Sequence, residues 1–304
     1  MPETLIRIAT RKSPLALWQA EWVAGELTAL GHQCALVPLS SLGDSDLRPI
    51  TSSTEVGLFT KRIQQAVIDG YADIAVHSLK DLPTVEYSTV HVAAIPPRAN
   101  VHDRLISSQN WTFQDIPTGS IIGTSSRRRA AQLLHLRPDL DIRPIRGNVQ
   151  TRLDQVIRRE FDATILAAAG LDRLDLPGIG SVELDLETML PAPGQGALAV
   201  ESRRSDERIT EIVSALDHAD SRAAVTAERS LLRHLSGGCL APIGAYAMIV
   251  DERLVLSAVV LSVDGQVRLH HAGVGKPQDA KALGEEIADA LLAAGADRWI
   301  AAAR

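Results

Sequence analysis

Ile121-Ile122-Gly123-Thr124-Ser125-Ser126-Arg127-Arg128-Arg129 is an apolar run that stops at a glycine, crosses three hydroxyl side chains and enters a cationic segment with helical spacing to Leu136. A strand followed by a capped helix fits that pattern. Outward from it, residues 142–145 read as a strand, 148–159 as a helix and 163–168 as a strand, which is βαβ order. The opening of the chain repeats the scheme. Residues 5–9 read as a strand, Ser13-Pro14 supplies a cap and a first-turn proline, and a helix runs to about residue 30. A strand at 35–39, a helix at 58–69 and a strand at 72–77 follow, the last feeding Ser78-Leu79-Lys80-Asp81-Leu82-Pro83. Alternation of this kind defines an α/β class with helices on the faces of an open sheet, and its recurrence predicts two related lobes.

Leu190-Pro191-Ala192-Pro193-Gly194-Gln195-Gly196 reads as a crossover between lobes. Beyond it the pattern changes to a long helical region over 206–235, strands at 245–249, 254–261 and 266–272 with a hairpin at Asp264-Gly265, and a closing helix over 277–294. This predicts a small C-terminal α+β domain. At 304 residues the chain suits two or three domains, and its 45% hydrophobic and 22% charged content describes a globular protein. Met1 leads straight into the first strand with no leader pattern, and no 18-residue apolar run occurs, so a cytoplasmic location without membrane contact is expected. Two cysteines, Cys34 and Cys239, form neither a disulfide framework nor a metal motif, so no metal is expected. A net charge of −6 argues against nucleic acid as a partner.

Local cationic clusters therefore need a smaller anion. Four strand-to-helix junctions carry them: Thr10-Arg11-Lys12-Ser13, His77-Ser78-Leu79-Lys80-Asp81, Thr124 to Arg129, and Arg146-Gly147-Asn148 with Arg152. They are expected to share one sheet edge, where helix N-termini offer N–H groups to anions. Several arginine forks suit several carboxylates, so the ligand class is a small polycarboxylate. Taken singly, each junction also reads as a capped helix with a solvated face. Arginines at a helix start oppose the helix dipole, however, unless an anion compensates them. Asp81 reads either as a surface partner of Lys80 or as an acid–base group that stabilises a cation. Cys239, after Gly237-Gly238, reads either as a buried small hydrophobe or as a covalent attachment point.

In these segments the sequence resembles the hydroxymethylbilane synthase (porphobilinogen deaminase) family over nearly its whole length. Ile8 to Ala20 is similar to the family's opening motif, Asp73 to Pro83 to its catalytic-aspartate segment, and Gly237 to Gly244 to its cofactor-attachment loop. Gly123 to Arg129, Arg146 to Leu153 and Pro193 to Gly196 match in order and spacing. The resemblance implies two α/β domains like type-II periplasmic binding proteins, residues 1–98 with 193–214 and residues 99–192, plus a C-terminal α+β domain over 215–304. It implies a monomeric transferase of tetrapyrrole synthesis that adds four porphobilinogen molecules to a dipyrromethane cofactor held by a thioether to Cys239. Asp81 would be catalytic, assisting loss of ammonia and steadying an azafulvene-like cation. Ser78, Lys80, Asp81, Thr124, Ser125, Ser126, Arg128, Arg129, Gln195 and Gly238 would bind the cofactor. Arg11, Ser13, Gln19, Arg146, Gly147, Asn148, Arg152 and Arg173 would bind substrate.

Two segments depart from the family pattern. Ser52-Ser53-Thr54-Glu55-Val56 stands where relatives have a lysine-bearing, glycine-rich lid, although Lys61 remains. Asn100-Val101-His102-Asp103-Arg104 replaces an Asp-Pro-Arg-Asp-Ala stretch, putting His102 in place of an interdomain arginine. The alternative reading is a divergent paralogue or a cytoplasmic carboxylate-binding sensor on the same lobes, which would leave the Cys239 thiol unmodified.

Overall fold

The computed structural model describes residues 5–40, 60–85, 87–176, 180–236 and 241–303. The chain begins β1 (Leu5–Arg11), α1 (Pro14–Ala29), β2 (Gln33–Leu39), α2 (Lys61–Ile68), β3 (Ile74–Ser78) and β4 (Val90–Ala94). Then come β5 (Asp103–Ser107), β6 (Ile121–Gly123), α3 (Arg127–Leu136), β7 (Asp141–Arg143), α4 (Val149–Ile157), β8 (Ala163–Ala167), α5 (Ala168–Arg173) and β9 (Ser181–Leu184). The last third forms β10 (Leu198–Arg203), α6 (Glu207–Ser214) and α7 (Ala219–His234). It continues with β11 (Ile243–Val250), β12 (Arg253–Leu261), β13 (Arg268–Gly275), α8 (Ala280–Ala293) and α9 (Ala296–Ala302). Two compact units result, Met1–Ala99 with Gly196–Arg222 and Asn100–Gln195 with Ala223–Arg304.

The first unit holds a five-stranded sheet in the order β2-β1-β3-β10-β4. β1 runs parallel to β2 and β3, while β10 is antiparallel to both β3 and β4. The apolar residues of the parallel strands point into helices: Ile6, Ile8, Ile74 and Val76 pack with Val23 and Leu27 of α1 and with Ile209 and Val213 of α6. Each such fully buried aliphatic side chain contributes about 1.5–3 kcal/mol against staying exposed. α1 starts as the sequence anticipates, with Ser13 extended at the cap and Pro14 in the first turn.

The second unit repeats the plan. Its five-stranded sheet runs β7-β6-β8-β5-β9, again three parallel strands followed by an antiparallel one and an edge strand. The two related lobes read from the sequence are thus two sheets of one topology. The same unit contains a meander, β11-β12-β13, covered by α7, α8 and α9 through a core that includes Leu231, Ile287, Leu291 and Ile300. β11 and β12 join through Asp251 and Glu252, both at positive φ (47° and 60°). The anticipated turn at Asp264-Gly265 joins β12 to β13 with Gly265 at φ 74°, and a Cβ there would lie 2.5 Å from the His135 amide of α3. Glycine is therefore required where this hairpin presses on α3, and His135 Nδ1 lies 2.8 Å from the Gly265 carbonyl oxygen.

Several details differ from the sequence reading. The long helical region over 206–235 is two helices, because the chain between them turns back onto the first sheet: Asp217 accepts from the Ile95 amide at 2.7 Å, and the His218 amide donates to the Ile95 carbonyl at 2.9 Å. β5 and β10, the antiparallel members of the two sheets, form from segments not assigned to strands, since each carries an acidic residue within or beside a short apolar run. The closing helix is preceded by a separate 3₁₀ turn, Pro277–Asp279. The segment expected to act as a lid, residues 52–56, lies outside the described residues.

Candidate active site

At the carboxyl end of β1 and β3, the first unit opens a recess of about 60 Å³ whose polar lining comes from Arg11, Ser13, Gln19, Thr60, His77, Ser78 and Asp81. Two of the four junctions therefore meet here. Gln19, buried on α1, donates to the Ser78 hydroxyl at 2.8 Å and so ties helix to strand. The Ser13 side chain makes no capping bond, and Leu15 and Ala16 line the recess, so the first turn of α1 faces it without a side-chain cap. An exposed N-terminal turn of that kind favours an anion. Asp81 is exposed at the end of the 3₁₀ turn Leu79–Asp81, which hangs from buried Leu79 through its amide bond to the Ala197 carbonyl at 3.0 Å. Lys80 beside it is half-buried and does not line the recess.

Behind this turn His77 meets a carboxylate that the sequence reading did not single out. His77 Nε2 is 3.1 Å from Glu201 Oε2 with both side chains almost fully buried, and Gln64 of α2 donates to Glu201 Oε1 at 3.0 Å. The signal was present: a carboxylate directly after the apolar run Leu198-Ala199-Val200 demands a buried partner.

The other two junctions meet at the carboxyl ends of β6 and β7 in the second unit. Ser125 donates to the Ile145 carbonyl at 2.7 Å, and the Thr124 amide to that of Arg143 at 2.8 Å. Ser126 caps α3 by accepting from the Arg129 amide, while the Thr124 hydroxyl accepts from the Ser126 amide at 3.2 Å. Asn148 caps α4 through the Thr151 amide at 2.9 Å. Gly147 sits at φ 107°, where a Cβ would meet Thr151, and its carbonyl accepts from Arg152 Nε at 2.9 Å. Arg146 and Arg152 are half-buried. Burial, helped by the charges of Arg129 and Arg146, pushes the Arg152 guanidinium down to about 10. Burial likewise takes Arg173, on α5, to about 10 against the opposing pull of Asp172.

Arg128 and Arg129 meet an anion of the protein's own. Both are buried and meet one carboxylate: Arg128 donates to Asp103 Oδ2 and Arg129 to Asp103 Oδ1, each at 2.7 Å. Their second terminal nitrogens donate to backbone, Arg128 to Leu190 at 2.6 Å and Arg129 to Ile165 at 2.8 Å. Gln195 adds a third bond to Asp103 at 3.1 Å. Part of the anion that the helix dipole demands is thus internal. Burial pushes the Arg128 guanidinium down, as does the charge of Arg129, while Asp103 opposes the shift. The Nε of each arginine is buried without a hydrogen-bond partner among the described residues. His102 Nδ1 faces the Asn100 side-chain oxygen Oδ1 at 2.8 Å and Glu183 Oε1 at 3.4 Å within this unit. Gly238 and Cys239 lie outside the described residues, among which no group of His, Cys, Asp and Glu side chains gathers to hold a metal.

Each of the two α/β sheets ends in arginine-bearing loops and helix N-termini, a setting that suits acidic groups, and the recess at the first sheet has a carboxylate, Asp81, at its rim. Comparison with known proteins supplies the family. Residues 6–211 match the family model "Porphobilinogen deaminase, dipyromethane cofactor binding domain", and residues 222–293 match "Porphobilinogen deaminase, C-terminal domain". A porphobilinogen deaminase of Syntrophotalea carbinolica is 44% identical over 305 residues, covering 99% of this chain and 97% of that relative. One of Mycobacterium marinum is 44% identical over 301 residues, covering 96% of each. An ancestral cationic amino acid solute binding protein aligns with a TM-score of 0.43 at 15% identity, over 70% of this chain and 87% of that one. The chain belongs to the porphobilinogen deaminase family.

Proposed function

We propose that this chain is a hydroxymethylbilane synthase, a transferase that condenses four porphobilinogen molecules, with loss of ammonia, into a linear tetrapyrrole on a dipyrromethane cofactor. The observation that carries the reading is Asp81 on the rim of a recess lined by Arg11, Ser13 and Gln19, in a chain of this family. The residues suit an acidic cofactor: among the described residues the buried Nε of Arg128 and that of Arg129 have no hydrogen-bond partner, and Arg152 lies in the repulsive field of Arg129 and Arg146, which an anion would relieve. Cys239 would hold it by a thioether, with Ser78, Lys80, Thr124, Ser125, Ser126, Arg128, Arg129, Gln195 and Gly238 around it. When bound, the group supplies the pyrrole carbon from which the chain is extended.

Arg11, Ser13 and the first turn of α1 bind substrate carboxylates, as do Arg146, Gly147, Asn148, Arg152 and Arg173 in the second unit. The Asp81 carboxylate accepts a hydrogen bond from the substrate's ammonium and, once ammonia departs, faces the positive charge left on the substrate methylene. The turn that carries it is anchored through the Leu79 amide, which sets the backbone from which the carboxylate reaches the recess. We read the domains as residues 1–98 with 193–214, residues 99–192 and residues 215–304, a division supported by the separate core under β11-β12-β13. We also read the protein as a cytoplasmic monomer without nucleic-acid partners; among the described residues no helix is long and apolar enough to cross a membrane.

Intact-protein mass spectrometry with peptide mapping tests the proposal. A pyrrolic adduct on the Cys239 peptide of freshly purified protein is expected. Active protein with an unmodified Cys239, or full activity in Cys239→Ala, overturns it.

A further inference from the structure

We infer that Asp103 is a positioning residue for the cofactor-binding arginines, fixing Arg128 and Arg129 at the cationic edge of the second sheet. The inference deepens the proposed function and rests on it. Asp103 opens β5, and because β5 runs antiparallel to β8 the aspartate sits opposite Ala167, at the carboxyl end of β8. That is the same sheet edge to which β6 and β7 deliver Thr124 to Arg129 and Arg146 to Arg152. An acid at this edge runs against the anion-binding character of its surroundings.

Its burial is complete, and a buried carboxylate is tolerated only with full pairing. The pairing is also directional. Each Asp103 oxygen takes one arginine, and each guanidinium is held at a second corner by a backbone carbonyl, Leu190 for Arg128 and Ile165 for Arg129. A planar fork fixed at both terminal nitrogens has lost its freedom to swing, so the direction of its remaining Nε is set by Asp103. Gln195 closes the arrangement by bonding both Asp103 and the Val101 carbonyl. This carboxylate divides its two oxygens between neighbouring residues of one helix turn.

The experiment uses the full chain with Asp103→Asn and Asp103→Glu. Three quantities are read beside wild type: the cofactor-occupied fraction by intact mass, folding and melting by circular dichroism, and the melting shift produced by porphobilinogen. Asp103→Asn is expected to fold, to lose occupancy by about tenfold or more, and to lose most of the shift, because breaking one side of a buried charge pair releases the other. Asp103→Glu keeps the charge but displaces both forks by a methylene, and is expected to recover occupancy only in part. Folded Asp103→Asn with wild-type occupancy and shift overturns the inference. If Asp103→Asn fails to fold, Asp103→Glu decides alone: wild-type occupancy and shift there show that charge suffices and geometry does not matter. Should wild type itself carry no adduct, the proposed function falls, while the porphobilinogen shift still decides the role of Asp103.

Discussion

Arg152→Gln in a Cys239→Ala background, where no covalent group can compensate charge, isolates the cost of the arginine cluster. Arg152 is depressed to about 10 by burial and by Arg129 and Arg146. An arginine whose folded-state value lies below its unfolded one destabilises the fold at every pH below that value, and the penalty fades only as pH rises through about 10. At about 1.4 kcal/mol per tenfold change in proton affinity, the penalty is on the order of 3 kcal/mol before screening. The side chain is only half-buried, so about 1.5 kcal/mol is the better figure. Glutamine removes the charge and keeps a donor for the Gly147 carbonyl. Thermal unfolding at pH 7.5 should therefore show a melting temperature raised by roughly 3–6 °C, at 2–4 °C per kcal/mol for a unit of this size. The gain should shrink in high salt. An unchanged or lowered melting temperature would mean that Arg152 is already compensated within the protein, and the argument that this edge awaits an external anion would fail.

Asp81→Asn, measured on cofactor-loaded protein, should slow turnover by about a hundredfold or more with substrate binding largely kept, and Asp81→Glu should retain some activity; near-normal turnover in the Asn variant reduces Asp81 to a surface residue. Glu228, fully buried on α7, accepts the Gly194 amide at 2.6 Å and the Ala247 amide at 2.7 Å, tying the glycine turn of the crossover to β11. Glu228→Gln replaces one acceptor by a donor facing an amide, so calorimetry should find the melting temperature lowered by roughly 5–10 °C. A change within about 2 °C would show that the two amides find other partners.

The parallel strands and their helices were legible because each pairs an apolar run with a glycine or hydroxyl break and a helical period, as at Ile121 to Leu136. β5 and β10 were not, since an antiparallel strand inserted from a distant segment leaves no βαβ signature. At the site, the residue types of the four junctions pointed to anion binding and the structure gathers them in pairs at sheet edges. What escaped was the acidic side. Asp103 and Glu201 lie among cations or apolar residues that look complete without them, and only the fold shows that each gathers partners from segments far apart in sequence. The roles of Arg128 and Arg129 are the reverse case, for a run of arginines that looks solvated is buried and partly neutralised from within.

The place of β10 has a consequence for synthesis. Val200 lies between Val76 of β3 and Ala94 of β4, so strands close in sequence become neighbours of neighbours only through a strand made much later. On the ribosome, roughly 100 further residues must emerge after β4 before β10 arrives, about 5–20 s at common elongation rates. Throughout that interval β3 presents an unpaired edge and β4 has no strand to join, the condition in which nascent chains stick to one another. The first 99 residues expressed alone would lack β10 and are expected to self-associate through that edge.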